Sequence, residues 1–246
     1  MSMKIIIAIL GAVVLTAASV IAARNIGRLT SYQLHDSQQA NSREVVPPNK
    51  RLEWYAHQTK AKGENAITLN APFIDYPGNS LSTHIDEAIS AFSTVIVEPI
   101  KQEVVANEDG DILTWYKFEI IESLSEHNPY QCSECATPPV DFYPIKDNEF
   151  AMPKYGGTVT IDGVTLTMVD PTFPQLKLRK RYLLFISRGA SGIATIGVGP
   201  NGVFEVGPNG SLTPINRNPH SIKDDIARRF DKSLDKVRDH ARHTPK

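Results

Sequence analysis

Two runs of alternating side chains, residues 94–105 (TVIVEPIKQEVV) and 112–122 (ILTWYKFEIIE), constrain this chain more than any other feature. Both are rich in β-branched and aromatic residues at a period of two, the pattern of a strand with one buried face. The connection between them carries Asp109-Gly110, which supplies the positive φ angles of a tight reversal. The pair therefore reads as a long hairpin. Pro99 has no amide to give to a ladder, so it marks an edge or a bulge in the first strand.

More strands follow. Residues 158–161 and 164–169 flank Asp162-Gly163 and form a second hairpin. Residues 181–187 (RYLLFIS) are continuously apolar after the first two positions, as in a strand buried on both faces. Residues 193–198 and 203–206 complete the set. The fragment Val-Gly-Pro-Asn-Gly recurs at 198–202 and 206–210, too briefly to make a repeat protein. Before the first strand, Thr83 and Asp86 suggest a capping box for a helix over 84–92, with Ile85, Ala88, Ile89 and Phe92 on one face. At the other end Ser221 and Asp224 open an amphipathic helix whose stripe is Ile222, Ile226, Phe230, Leu234 and Val237. Asp224 and Asp225 near its start and Arg238 and Arg242 near its end suit the helix dipole. The stripe either packs on the sheet or meets a partner. The expected fold class is mainly β: an OB-like small barrel with a short preceding helix and a C-terminal amphipathic helix.

Residues 5–23 (IIIAILGAVVLTAASVIAA) carry no charge. A hydrocarbon core of about 30 Å needs about 20 helical residues, so this run fits an N-terminal membrane anchor and also a generous secretory signal. Either reading puts the rest of the chain outside the cytoplasm, periplasmic or secreted. The expected layout is a signal peptide or anchor at 1–23, a polar spacer at 24–66, a barrel domain at 67–216 and a basic helix at 217–246. Trp54 and Tyr55 suggest that the spacer docks on the domain.

The net charge of −1 hides an uneven distribution. Residues 1–63 hold 8 Lys/Arg against 3 Asp/Glu, residues 64–216 hold 9 against 19, and residues 217–246 hold 9 against 5. An acidic body with basic ends argues against nucleic acid, which needs a basic surface tracking the phosphates. The ends either touch anionic lipid or an acidic partner, or are solvated and partly neutralised by the body.

The order of short helix, bulged strand, aromatic strand (Trp115-Tyr116-Lys117-Phe118), Gly-led hairpin and Arg181-Tyr182-Leu183-Leu184-Phe185 resembles a group of exported bacterial proteins of unassigned activity. It is also similar to the netrin-like modules, including the tissue inhibitors of metalloproteinases, whose barrels are OB-like. The resemblance covers about residues 84–206 and implies the barrel. Those inhibitors act through a cysteine at the mature N-terminus, whereas this chain has only Cys132 and Cys135, so their activity is not carried over. Lys180 stands where the turn before the Arg-Tyr-Leu-Leu-Phe strand usually offers Gly.

Cys132-Ser133-Glu134-Cys135 admits three readings: a small structural disulfide in an exported chain, a metal half-site with His127 and Glu134 or Asp141, or a redox pair. Covalent haem is set aside because Ala136 stands where His must follow. The cysteines lie in a long connection, 123–155, stiffened by prolines and carrying Tyr130, Phe142, Tyr143, Phe150 and Tyr155. These rings either face a ligand or cover one end of the barrel. No nucleophile elbow, zinc-protease helix or Walker loop occurs, so no catalytic residue and no cofactor is expected. The functional expectation is an exported or membrane-tethered, non-enzymatic binding module of the cell envelope, with an unknown protein or envelope component as partner. The competing expectations are a thiol or metal protein using Cys132 and Cys135, and a purely structural domain.

Overall fold

The computed structural model describes residues 50–72, 84–107, 109–126, 137–188 and 192–244. Helix α1 (Arg51–Ala61) and strand β1 (Ala66–Asn70) come first, followed by the short helix α2 (Ile85–Ala91). The expected hairpin is β2 (Ser93–Ala106) with β3 (Ile112–Ser125), closed by a turn in which Gly110 has φ of 79°. Register shifts at Thr94/Val95, Ile96/Val97 and Pro99/Lys101 bend β2, the last at the proline that cannot join the ladder. The chain continues through β4 (Glu149–Tyr155), β5 (Gly157–Ile161), β6 (Val164–Val169), β7 (Arg181–Arg188), β8 (Ala194–Ile196), β9 (Phe204–Val206) and β10 (Leu212–Pro214). Helices α3 (Ser221–Arg228) and α4 (Leu234–His243) end it.

These strands form two sheets. The larger has the order β10-β9-β7-β2-β3-β4, with β8 also on β7, and is antiparallel throughout. The smaller has the order β1-β6-β5, with β1 parallel to β6.

The expected closed barrel is corrected by this topology. The large sheet is open, running from β10 at one edge to β4 at the other. Between β4 and the segment before β8 there is only an isolated bridge, Ala151 with Ile193, and a hydrogen bond from Ala151 N–H to the Gly192 carbonyl at 2.9 Å. The flank of β7 that would complete a barrel is divided. Arg181 to Leu183 pair with β9, which leaves only Ile186 to Arg188 for β8. Four α-helices lie among the described residues instead of two. The netrin-like and OB-like resemblance is withdrawn on the same ground. Alternation along each strand dictates which side chains are buried, but not which two edges meet.

Both faces of β2 and β7 are covered, as the continuous apolar run of β7 required. On one face Ile96, Leu183 and Phe185 pack with Ile89 of α2, Ile226 of α3 and Val237 of α4. On the other, Val95, Val97 and Leu184 meet Tyr116, Phe118, Phe150 and Met152. The single C-terminal helix expected from the stripe is two helices, broken where Asp231 and Lys232 adopt φ of 50° and 56°. The stripe still serves as one surface: Ile222, Ile226, Phe230, Leu234 and Val237 are all buried in the same cluster. The cap of α3 is His220, not Ser221; its ring nitrogen accepts the Ile222 N–H at 3.3 Å. Asp225 turns to the neighbouring helix and accepts the Ile85 N–H at 3.0 Å. Arg229 grips Asp86 at 2.9 and 3.1 Å, and Arg238 grips Glu122 twice at 2.8 Å. The body thus neutralises part of the basic end.

Helix α1 lies inside the stretch expected to be a spacer. Its Leu52 and Ala56 are buried with Val164 and Leu166 of β6. Trp54 and Tyr55 contact each other edge to face at 5.1 Å, and Trp54 stays partly exposed.

Where β3 meets β4, Lys117 Nζ lies 2.8 Å from Glu149; the Glu149 side chain is buried and that of Lys117 is 13 % exposed. Lys117 also donates to the Pro144 carbonyl at 2.9 Å, and the Lys146 N–H donates to Glu149 at 3.1 Å. Burial pushes the Glu149 carboxyl up, but the hydrogen bonds from Lys117 and the Lys146 amide, with the lysine charges, outweigh it and hold the group below its usual value. Its contribution is therefore complete above the unfolded-state value near 4.3 and fades as pH falls through the lower folded-state value. Replacing Lys117 by Met is expected to cost about 2 kcal/mol at pH 7, the scale of a hydrogen bond to a charged group. In urea titrations the gap to wild type should narrow below about pH 4. An equal gap at pH 3 and pH 7 would count against the ion pair.

Candidate functional site

Period-two alternation along β4 puts Phe150, Met152 and Lys154 on one face. The first two enter the core; Lys154 lies at its end and is only 4 % exposed. Two glycines follow. Gly156 (φ 106°) and Gly157 (φ 141°) turn the chain from β4 of the large sheet into β5 of the small one. Gly156 is pinned on both sides, its N–H donating to the Ile112 carbonyl at 2.8 Å and its carbonyl accepting from the Thr114 hydroxyl at 2.6 Å. A Cβ at Gly157 would lie 2.5 Å from Val104 Cγ1, so this corner admits no side chain without a shift.

The opposite wall comes from the loop after β6. Asp170 Oδ1 accepts from the Thr172 N–H at 2.8 Å, the Thr172 hydroxyl at 2.7 Å and the Phe173 N–H at 3.0 Å. This Asp-initiated turn drives Phe173 and Leu176 into the core. Two buried phenols hold the loop there: the Leu176 N–H donates to Tyr116 Oη at 3.1 Å, and the Lys177 N–H to Tyr182 Oη at 2.9 Å. Burial pushes the Tyr116 hydroxyl up to about 12, against the Leu176 bond, so it remains a neutral phenol.

Between these walls lies a cavity of about 160 Å³. Its floor is buried and includes Lys154, Gly156, Met168, Asp170 and Phe173. Its rim includes Thr158, Thr167, Val169, Pro174 and Gln175. The two threonine hydroxyls lie 3.1 Å apart. Lys154 Nζ donates to the Tyr155 carbonyl at 2.7 Å and sits 5.3 Å above the centre of the Phe173 ring. Burial lowers its pKa to about 8, partly opposed by the charge of Asp170. Asp170 is 9 % exposed, and its second oxygen, Oδ2, is buried with no hydrogen-bond partner. An unpaired carboxylate oxygen in such a place costs about 1–3 kcal/mol or more. A cavity lined by a buried, perturbed amine and by an aspartate is a candidate ligand site.

The described residues among those singled out from the sequence lie elsewhere. Tyr130, Cys132 and Cys135 lie outside the described residues, as do His127 and Glu134. Among the described residues there is no disulfide and no cluster of three or more metal-ligating side chains. Asp141 pairs with Lys101 at 3.1 Å. Phe142 and Phe150 are fully buried, Phe142 against Leu113, Trp115 and Ile193, and Phe150 stacked on Phe118 at 4.8 Å. Both rings fill the core. Tyr155 is half-buried beside the same clusters. Of the described rings in this connection, Tyr143 is exposed, at 50 %, near Val140 at 85 %.

The cavity left two traces in the sequence. A lysine occupies an apolar position of a strand (Phe150-x-Met152-x-Lys154) directly before a Gly pair, and Asp170-Pro-Thr172 carries an Asx-turn signature. The end of the connection expected over 123–155 is strand β4, which tolerates Pro153 because it lies at the sheet edge.

Comparison of the chain with protein-family models, with curated proteins and with solved structures finds no match.

Proposed function

We propose that this chain is a non-enzymatic binding module of the cell envelope, exported or membrane-tethered through residues 5–23, that takes a small ligand into the cavity floored by Lys154 and Asp170. The observation that carries the reading is a cavity lined by Lys154, a lysine kept at the end of a buried strand face, and by Asp170, whose Oδ2 is buried without a hydrogen-bond partner. Burying the amine and leaving the Asp170 oxygen unpaired both cost stability, a cost that a ligand-binding role explains. The placement in the envelope is supported by the uncharged run at 5–23, which suits a membrane-crossing leader.

Two measurements test it. Brief treatment of the full chain with acetic anhydride at pH 8, followed by peptide mass mapping, reads whether small molecules reach Lys154. With a pKa of about 8 that amine is half unprotonated there, whereas an ordinary lysine near 10.4 is almost fully charged. Lys154 is expected to be acetylated ahead of the surface lysines. Labelling of Lys154 last would mean a sealed core position. Fractionation of tagged cells should place the chain with the membrane or outside it; recovery in the soluble cytoplasm would refute the envelope assignment.

A further inference from the structure

The pentapeptide Val-Gly-Pro-Asn-Gly occurs twice, and its copies hold the chain's two Asn-Gly pairs in opposite surroundings. Such a pair is open to internal attack, because a residue without a Cβ lets its backbone nitrogen swing onto the preceding asparagine side chain. The first copy is packed. Residues Gly199–Gly202 form a 3₁₀ turn in which Gly199, Pro200 and Gly202 are buried. Asn201 is half-buried, and its Oδ1 accepts from the buried Asn216 Nδ2 at 3.4 Å. A Cβ on Gly202 would lie 3.0 Å from Val198 Cβ and 3.1 Å from Phe185 Cδ2, so this backbone cannot swing without opening the core.

The second copy forms the reversal between β9 and β10. Gly207 to Gly210 make a β-turn, with the Gly210 N–H donating to the Gly207 carbonyl at 3.0 Å and with Pro208 and Asn209 exposed at its tip. A Cβ on Gly210 would find its nearest neighbour, Leu234 Cβ, at 3.8 Å, so there is room to move. Releasing one surface hydrogen bond frees the Gly210 nitrogen, an opening of the low-cost kind. The turn also holds something in place. The Gly210 carbonyl accepts the Leu234 N–H at 2.8 Å, the Leu212 N–H donates to the Lys232 carbonyl at 2.7 Å, and Ser211 bridges to Ser233. These ties join the entry to β10 with the segment that leads from α3 into α4.

We infer that Asn209 is a site of spontaneous deamidation, and that its conversion to isoaspartate releases the start of α4 from this turn. The Gly210 nitrogen gives its proton to base and attacks Asn209 Cγ. The N–Cγ bond forms, the Cγ–Nδ2 bond breaks, and the side-chain nitrogen leaves as ammonia with the proton. Water then opens the cyclic imide at either carbonyl. Opening at Cγ restores the ordinary backbone with an aspartate on it. Opening at the Asn209 backbone carbonyl routes the main chain through Cβ and Cγ, one methylene longer. The lengthened turn carries the Gly210 carbonyl away from the Leu234 N–H.

The full chain is aged at pH 7 and at pH 9 and mapped by peptide mass spectrometry, with fragmentation that tells isoaspartate from aspartate. Asn209 should convert at least about tenfold faster than Asn201, the factor that ~1.4 kcal/mol of extra opening free energy gives. Conversion should be faster at pH 9, because the attacking nitrogen must lose its proton. Amide hydrogen exchange should then quicken in the peptides holding Leu212 and Leu234 of the aged protein. It should stay at the fresh rate in Asn209→Ser aged alongside, which keeps a turn-forming residue and cannot close the ring. Fresh Asn209→Asp, with the new charge on a chain of ordinary length, should also exchange as fresh wild type does. No conversion of Asn209, or conversion of Asn201 at the same rate, overturns the site. Isoaspartate at Asn209 with unchanged exchange overturns the release of α4. Exchange in fresh Asn209→Asp as fast as in the aged protein assigns the release to charge and overturns the lengthened turn as its cause.

Discussion

Lys154→Met is expected to melt at a higher temperature than wild type, by about 4–8 °C at pH 7. The lysine is buried at the end of an apolar strand face, and its pKa falls from 10.5 to about 8. Each pKa unit corresponds to about 1.4 kcal/mol, so keeping it charged costs the fold about 3 kcal/mol. Loss of its hydrogen bond to the Tyr155 carbonyl returns about 1 kcal/mol of that. Met preserves the volume and fits the neighbouring Met152, leaving a net gain of about 2 kcal/mol. The pH dependence has a definite sign. A lysine with a lowered folded-state pKa leaves the unfolded chain binding more protons between about pH 8 and 10.5, so wild-type stability climbs through that window while the variant's does not. The advantage of the variant is full below pH 8 and shrinks above it. Differential scanning calorimetry at pH 7 and pH 10 reads both; a lower melting temperature for the variant would remove the argument that Lys154 is retained against stability.

Gly157→Ala is expected to act in the opposite direction, with a loss of about 2–6 kcal/mol. Two independent costs add. A φ of 141° is a conformation that side-chain-bearing residues rarely adopt, worth about 1–3 kcal/mol. The new methyl would also meet Val104 Cγ1 at 2.5 Å and Thr114 Oγ1 at 3.0 Å, and overpacking of this kind costs about 1–3 kcal/mol. Urea titration gives the total. Gly157→Ala combined with Val104→Ala separates the parts, since the second change relieves the contact and leaves the backbone cost. A single variant as stable as wild type would show that the corner between the two sheets is freer than its geometry implies.

Most of the large sheet could be read along the chain, because its strands are long and alternate cleanly. The hairpin of β2 and β3, the bulge at Pro99, the Asp162-Gly163 reversal and the doubly buried β7 all follow from local pattern. What could not be read is contact between distant segments. Strand β1 pairs with β6 in parallel, and a five-residue strand in polar sequence carries little signal. Closure of the sheet depended on how β8 and β9 divide one flank of β7, which no periodicity encodes. The aromatic residues of 123–155 were visible, but aromatic content does not say which rings point inward. The cavity was missed for a related reason: Lys154 and Asp170 are sixteen positions apart, and only the two-glycine corner brings their walls together.

Strand β1 joins its partner across roughly a hundred residues of chain. A connection of that span closes late, after the intervening strands are in place, and a five-residue ladder gives it little to resist opening. A pull applied at Lys50 would therefore act on α1 and β1 before any strand of the large sheet. Since β6, their neighbour, supplies Thr167 and Met168 to the cavity, release of β1 would loosen one wall of it.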